Sequence, residues 1–452
     1  MQKNLNSLFT RYSIPDTPLK YFSTKNKNKP YSFREAVLIG LPDDNGLFMP
    51  DKFISLPKEF ISSLKNLTIS EIGFEVSKSF VGDEIPMEEL RKICEEAFNF
   101  PVPLIELDDQ TFIAELFHGP TLAFKDFGAR FMARIMSYLN RNEKKILTIL
   151  VATSGDTGGA VADGFYDIEG IEVFILYPSG GVSDLQEKQL TTYGKNIHAI
   201  EVKGTFDDCQ RLVKTAFLDD ELSSIYRLSS ANSINIARLI PQMVYYFNSY
   251  AKLPGKNKNI VFVVPSGNFG NLTAGLFANK IGLPVSRFIA ATNVNDSVPL
   301  YLSGKGFNPR ISKATISNAM DVGNPSNFGR MLNLFDDSLV EMQKRITAYA
   351  FTDEETEVVM KFIYNFHGYI LDPHGAVGIA GWNQYSSDNE DATGIILETA
   401  HPAKFIDAVE KILKITLPLP ESLEKLRVKT KSAELLSSDF LEFKKYMIGI
   451  RL

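Results

Sequence analysis

The chain carries a lysine where a reactive amine could be made. In Glu115-Leu-Phe-His-Gly-Pro-Thr-Leu-Ala-Phe-Lys-Asp-Phe-Gly-Ala-Arg130, Lys125 follows Gly119-Pro120, which suits no helix interior, and Thr121, a good helix N-cap. Phe124, Phe127, Phe131, Ile135, Tyr138 and Leu139 then recur at helical spacing and predict one buried face. Desolvation among aromatics and the positive end of a helix both disfavour an ammonium, so Lys125 is a candidate for a depressed pKa. A neutral amine is the species that Schiff-base chemistry requires. A lone lysine is more often an ordinary surface residue, so the assignment depends on what else the chain contains.

Three strand-end loops supply it. Ser266-Gly-Asn-Phe-Gly-Asn271 joins an apolar run to a helical one, and its glycines let backbone N–H groups converge where the helix dipole favours an anion. It is neither a Walker A loop nor a dinucleotide GxGxxG, and its bland alternative is a tight connection. Thr153-Ser-Gly-Asp-Thr-Gly158 offers the hydroxyls of Ser154 and Thr157 and the Asp156 carboxylate to an anionic or zwitterionic substrate end; the alternative is a helix capped by Asp156 or Thr157. In Leu397-Glu-Thr-Ala-His-Pro-Ala-Lys-Phe405, Thr399 lies just past a strand end, where such sheets bind ligands. Asp372-Pro-His-Gly375 reads as a turn. Asn235 and Arg238, three apart in Asn232-Ser-Ile-Asn-Ile-Ala-Arg238, share a face if that segment is helical, and the arginine could bind a carboxylate or phosphate.

These loops need a scaffold, and the hydrophobic pattern predicts one. Residues 1–100 read as a small separate unit: a solvated loop at 26–30, a capping box at Ser32-Phe-Arg-Glu35 before a helix closed by Gly40, a turn at 43–46, and helices near 68–80 and 86–98. Beyond residue 100, apolar strands at 147–152, 173–177, 198–202, 260–264, 288–291 and 394–398 alternate with helical runs. That alternation implies an α/β unit with a mainly parallel sheet covered on both faces. The Gly- and Asn-rich stretch 301–335 is long for a loop in a compact domain, which suggests a role near a site. Amphipathic helices resume from about residue 403.

Composition bounds the function. With 452 residues, 44% hydrophobic content and a net charge of −6, the chain has the make-up of a soluble globular protein and no electrostatic footprint for nucleic acid. No apolar run suits a membrane span, and the first residues lack a secretory core. Two cysteines without CxxC spacing and five scattered histidines give neither a disulfide framework nor a metal site. A cytoplasmic protein is expected.

A lysine on a helix, a phosphate cradle and a neutral hydroxyl at a late strand end are the parts of a pyridoxal-phosphate site. The chain resembles the threonine synthase family, within the tryptophan-synthase-β-like pyridoxal-phosphate enzymes of fold type II. The resemblance rests on Ser32-Phe-Arg-Glu-Ala-Val37, Asp44-Asn-Gly-Leu-Phe-Met-Pro50, His118-Gly-Pro-Thr-Leu-Ala-Phe-Lys-Asp126, Thr153–Gly158, Asn232–Arg238, Pro265–Asn271, Asn318-Ala-Met-Asp-Val-Gly-Asn-Pro-Ser-Asn327 and Thr399–Phe405. It implies an N-terminal domain over 1–100 and a catalytic domain over 101–452, two α/β subdomains with pyridoxal 5'-phosphate between them. Lys125 would bind the cofactor and then carry protons. Gly267, Asn268, Phe269, Gly270 and Asn271 would hold its phosphate, and Thr399 its pyridine nitrogen. Ser154, Asp156 and Thr157 would lie near the substrate, with Asn235 and Arg238 as anion contacts. The implied reaction converts O-phospho-L-homoserine and water to L-threonine and phosphate, in a monomer or homodimer. Alternatives are a phospholyase releasing 2-oxobutyrate, or an inactive binding protein on the same fold.

Overall fold

The computed structural model describes residues 19–153, 155–255 and 259–451. Three sheets organise the chain. The first is small and antiparallel: β1 (Tyr21–Ser23) lies between β2 (Asn26–Tyr31) and β3 (Phe48–Pro50). Asn26–Lys29 and Pro30 are therefore an exposed edge strand and not the expected loop. Lysines and a proline are what an edge tolerates, because they discourage further pairing. The Ser32–Glu35 capping box forms in both directions, and Gly40 closes that helix at φ 75°. The helices expected near 68–80 and 86–98 are Ile69–Val81 and Met87–Ala97.

The second sheet has six strands in the order β12 (Ile346–Ala350), β11 (Arg287–Thr292), β10 (Ile260–Pro265), β13 (Thr393–Glu398), β5 (Thr111–Glu115) and β4 (Leu104–Asp108). Its pairs are parallel except β4 with β5. The third has five parallel strands in the order β14 (Glu434–Ser437), β8 (Ile197–Lys203), β7 (Ile171–Pro178), β6 (Leu147–Ala152) and β9 (Arg227–Ser230). Continuous apolar runs such as Leu147–Ala152 and Ile260–Pro265 are buried along their whole length, as covered parallel strands require.

One apolar core joins the units. Phe98 stacks on Phe131 at 5.7 Å, Phe100 meets Phe127 edge-on at 4.6 Å, and Phe127 meets Tyr245 at 5.2 Å. These rings link the N-terminal helices to the Lys125–Asn140 helix and through it to the body of the sheets. The loops singled out above all leave the C-terminal ends of parallel strands: Thr153 after β6, Ala231–Asn235 after β9, Ser266–Asn271 after β10 and Thr399 after β13. That is where open parallel sheets bind ligands.

Candidate active site

The lysine helix begins three residues later than a Thr121 cap would place it. It runs Lys125–Asn140, and Phe124 at the cap position supplies no side-chain hydrogen bond. Thr121 is engaged instead by Asp126, which accepts from its N–H at 2.9 Å and its hydroxyl at 2.5 Å. The chain is tight here: Leu122 takes a left-handed φ of 58°, and a Cβ on Gly119 would lie 2.4 Å from the Asp126 carboxylate. Phe124 N–H donates to the Thr399 carbonyl at 2.8 Å, and Ala123 bridges Ala400. These contacts tie the residues just before Lys125 to Thr399 and Ala400.

Burial depresses the Lys125 pKa. Arg238 and Lys404 push it the same way, and Asp156 opposes them. Asp156 is buried, which alone would raise its own pKa, but Lys404 and Lys125 outweigh that and hold it well below the usual carboxylate range. Lys404 carries no signal of its own in the sequence, although it stands within Leu397–Phe405 beside Thr399. It is 2% exposed, and its Nζ lies 2.9 Å from Asp156 and 2.7 Å from the Thr121 carbonyl. Gln186 donates to the same Asp156 oxygen at 3.0 Å, and Gln189 to Thr121 O at 3.1 Å.

Asp156 and Thr157 open the Asp156–Phe165 helix, but neither caps it. The Thr153 hydroxyl accepts from Gly155 N–H at 3.1 Å and Gly158 N–H at 2.9 Å, with Gly155 at φ 140°. Ser154 lies outside the described residues.

The Gly-rich loop enters the Gly270–Lys280 helix through Phe269, which is left-handed at φ 59°. Among the described residues, the backbone N–H groups from Gly267 to Asn271 have no protein acceptor, which is the open arrangement an anion needs. Asn271 Oδ1 accepts from Tyr245 at 2.7 Å and Tyr246 at 2.8 Å, while its Nδ2 is buried and unpartnered. The Asn268 side chain is structural: it donates to Ser233 at 2.6 Å and accepts from Ser326 N–H at 2.6 Å. The polar stretch 301–335 covers this loop. A Cβ on Gly267 would lie 2.7 Å from Met320 Cα, and one on Gly270 would lie 3.4 Å from Asn327 Nδ2.

Asn235 and Arg238 differ in what they leave free. Asn235 caps the Ile236–Leu239 helix through Ala237 N–H at 3.0 Å and donates to Val37 O at 2.9 Å and Ser230 O at 3.2 Å. Its amide is fully used as a cap and as a tie to the N-terminal unit, so it has no donor left for a substrate anion. Arg238 is buried beside Asp126 and Gly128; its Nη1 donates to Ala231 O at 3.0 Å and its Nε has no partner. Burial lowers its pKa to about 10. Asp372-Pro-His-Gly375, expected as a turn, is the start of the Pro373–Ser386 helix, because Asp372 caps His374 N–H and proline fits the first helical position.

The arrangement fits a phosphorylated aldehyde cofactor: a depressed lysine, an open N–H cradle with an unpartnered amide, and a neutral hydroxyl opposite. Fold and site define a pyridoxal-phosphate-dependent enzyme of fold type II, and the family model described as pyridoxal-phosphate dependent enzyme matches residues 98–397. Models described as threonine synthase N terminus and threonine synthase, C-terminal match residues 20–98 and 375–447. The threonine synthase of Haemophilus influenzae is 44% identical over 431 residues, 95% of this chain and all of that one. The crystal structure of threonine synthase from Escherichia coli superposes with a TM-score of 0.88 at 44% identity, over 95% of this chain and 100% of that one. The pyridoxal-phosphate-bound threonine synthase from Brucella melitensis gives 0.89 at 35% identity, over 95% and 98%. The chain belongs to the threonine synthase family.

Proposed function

We infer that the chain converts O-phospho-L-homoserine and water to L-threonine and phosphate, by γ-elimination followed by hydration at the β-carbon. The observation that carries this is the pairing of a desolvated Lys125 with two separate anion-binding features, the Gly267–Asn271 cradle and Arg238 with its unpartnered Nε. When bound, pyridoxal phosphate supplies an aldehyde for the lysine and an electron sink for the carbon bearing the substrate amine.

The chain's own residues do the rest. Gly267–Asn271 would hold the cofactor phosphate through their N–H groups, and Thr399 would offer a neutral hydroxyl to the pyridine nitrogen. The Lys125 amine takes the proton from the substrate α-carbon, gives it up, and once neutral again takes one from the β-carbon; the α- and γ-carbons regain protons as the product forms, and water supplies the β-hydroxyl and the proton that leaves on phosphate. Burial favours the neutral amine that this base work requires. Arg238 binds an anionic end of the substrate. Asp156 is committed to Lys404 and Gln186, so its part is to hold the charge balance around Lys125; Ser154 and Thr157 are proposed as substrate contacts on the family resemblance alone.

The domain division 1–100 and 101–452, with two subdomains around the cofactor, is supported by the three separate sheets. A cytoplasmic location is supported by two free, buried thiols, Cys94 and Cys209. Among the described residues no helix is long and apolar enough to cross a membrane. A monomer or homodimer is proposed, to be decided by light scattering.

One experiment tests the reading. Incubation with O-phosphohomoserine, with phosphate, threonine and 2-oxobutyrate measured together, is expected to give phosphate and threonine in equal amounts. Equimolar 2-oxobutyrate in place of threonine would make the chain a phospholyase, and no phosphate release would make it a binding protein.

A further inference from the structure

Behind Thr399 lies a buried acidic pair that the reaction as described does not use. Glu398, at the end of β13, is 0% exposed, as is Asp372, the cap of the Pro373–Ser386 helix. Glu398 Oε1 accepts from Asp372 N–H at 2.8 Å. Asp372 Oδ1 accepts from His374 N–H at 2.7 Å and lies 2.5 Å from His374 Nδ1. The remaining oxygens, Glu398 Oε2 and Asp372 Oδ2, are buried without a partner. A Cβ on Gly375 would overlap Glu398 Oε2 at 1.4 Å, so the helix start is shaped to admit this carboxyl group.

Two neighbouring carboxyl groups, each with a buried orphaned oxygen, are costly, and one proton held between the groups relieves both. Asp372 takes two N–H donors from His374 and Glu398 only one from Asp372, so the negative charge settles on Asp372 and the proton on Glu398; burial, Asp372 and Glu115 all shift Glu398 the same way. Glu115 is itself held by His118 Nε2 at 2.7 Å and the Tyr369 hydroxyl at 2.8 Å. Asp372 then accepts from Glu398 on one side and from His374 Nδ1–H on the other. That fixes the imidazole tautomer with Nε2 as an acceptor, and Nε2 accepts Ala319 N–H at 3.1 Å. Ala319 belongs to the Asn318–Met320 turn whose backbone closes on Gly267: a Cβ there would lie 3.0 Å from Ala319 O and 2.7 Å from Met320 Cα.

We propose that Glu398, Asp372 and His374 form a hydrogen-bonded relay, with one proton held between the two carboxyl groups, that positions the Asn318–Met320 turn over the Gly267–Asn271 cradle. All three are positioning residues. The relay ties the strand carrying Thr399 to the cover of the phosphate loop, so both ends of the cofactor are set by one buried network. This rests on the reading that the cradle holds the cofactor phosphate.

The test compares dissociation constants of pyridoxal phosphate and of pyridoxal, which lacks the phosphate, by absorbance and dialysis of the holoenzyme and four variants. His374→Phe keeps the ring contact with Phe405 at 4.8 Å but has no acceptor for Ala319. It should weaken pyridoxal phosphate by about tenfold or more and pyridoxal by little, since only the phosphate end loses its cover. His374→Gln, whose carbonyl can take the Ala319 N–H, should recover part of that loss. Glu398→Gln, whose amide N–H mimics the carboxylic proton, should hold the phosphate within about threefold of the parent, while Glu398→Leu should lose about tenfold.

The relay is overturned if His374→Phe weakens both ligands equally or neither. It is equally overturned if Glu398→Gln is as damaging as Glu398→Leu. Borohydride mapping of the parent separates the two levels: cofactor on a lysine other than Lys125 sinks the underlying reading. Label on Lys125 with insensitive variants sinks the relay alone.

Discussion

Lys125 works because its neighbours disagree about it. Burial, Arg238 and Lys404 favour the neutral amine, while Asp156 favours the ammonium. Lys125→Ala is expected to abolish turnover, and borohydride followed by peptide mapping should label Lys125 in the parent and no lysine in its place in the variant. Lys404→Met should be worse for the fold than for the chemistry: it leaves the Asp156 carboxylate buried without its cation, a loss on the order of 3–5 kcal/mol. The sign with pH follows. The depressed Asp156 pKa gives the parent stability that is full above about pH 4 and is lost as pH falls through the folded value. Urea unfolding should therefore show the parent's advantage over Lys404→Met holding from pH 7 to about pH 4 and shrinking below that; an advantage that persists unchanged at lower pH would mean the ion pair is not its source. For Arg238, discrimination is the measurement. The parent should prefer O-phosphohomoserine over homoserine by about a thousandfold in kcat/KM, because an unphosphorylated substrate leaves buried donors unpaired. Arg238→Ala should erase much of that preference while the cofactor absorbance persists. A variant that discriminates as the parent does would make Arg238 structural.

Elements carry those residues to the site, and their legibility in the sequence was uneven for physical reasons. Strands buried on both faces announce themselves as apolar runs, so Leu147–Ala152, Ile260–Pro265 and Thr393–Glu398 could be read directly. Short edge or polar strands such as Asn26–Tyr31 and Glu434–Ser437 could not, since a lone neighbour's pairing leaves no periodic mark. Helix starts were legible where the cap is local, as at Ser32. They were misread where the hydroxyl serves a partner other than the helix N–H groups, as at Thr121, which donates to the Asp126 carboxylate. Lys125, the Gly-rich loop and Thr399 stood out because strand-to-helix loops are short. The partners Lys404, Gln186 and Asn327 arrive from far along the chain, where spacing says nothing. The same geometry makes Gly267→Ala a sharp test of the loop. Its methyl group would meet Met320 backbone at 2.7 Å, so the turn or the cradle must move, and cofactor affinity should fall by about tenfold or more. Equilibrium dialysis decides it, and an unchanged affinity would show that the turn is free to retreat.

At the scale of the molecule, the N-terminal unit is fastened to the site through Arg330. This side chain is wholly buried, and its partners among the described residues are neutral: Phe48 O at 3.2 Å, Ser233 O at 3.2 Å, Ile234 O at 2.5 Å and Asn327 Oδ1 at 2.7 Å. Three separate parts of the chain thus meet on one guanidinium, and burial works against its charge. A buried cation without a counterion is costly, and the cost falls when an anion settles nearby. The cradle is close, since Asn327 also approaches Gly270 and Ser233 is shared with Asn268. A cofactor phosphate there would complete the charge, so ligand binding and attachment of the N-terminal unit should be coupled. Arg330→Met removes the cation while filling much of its volume. In the parent, adding pyridoxal phosphate at about a hundred times its dissociation constant should stabilise the fold by about 2.7 kcal/mol. At the same concentration the variant should gain distinctly less, even where its fold without cofactor is as stable as the parent's. Calorimetric melting of both proteins with and without cofactor gives the comparison. Equal gains in Tm would show that Arg330 holds the N-terminal unit in place without sensing the phosphate.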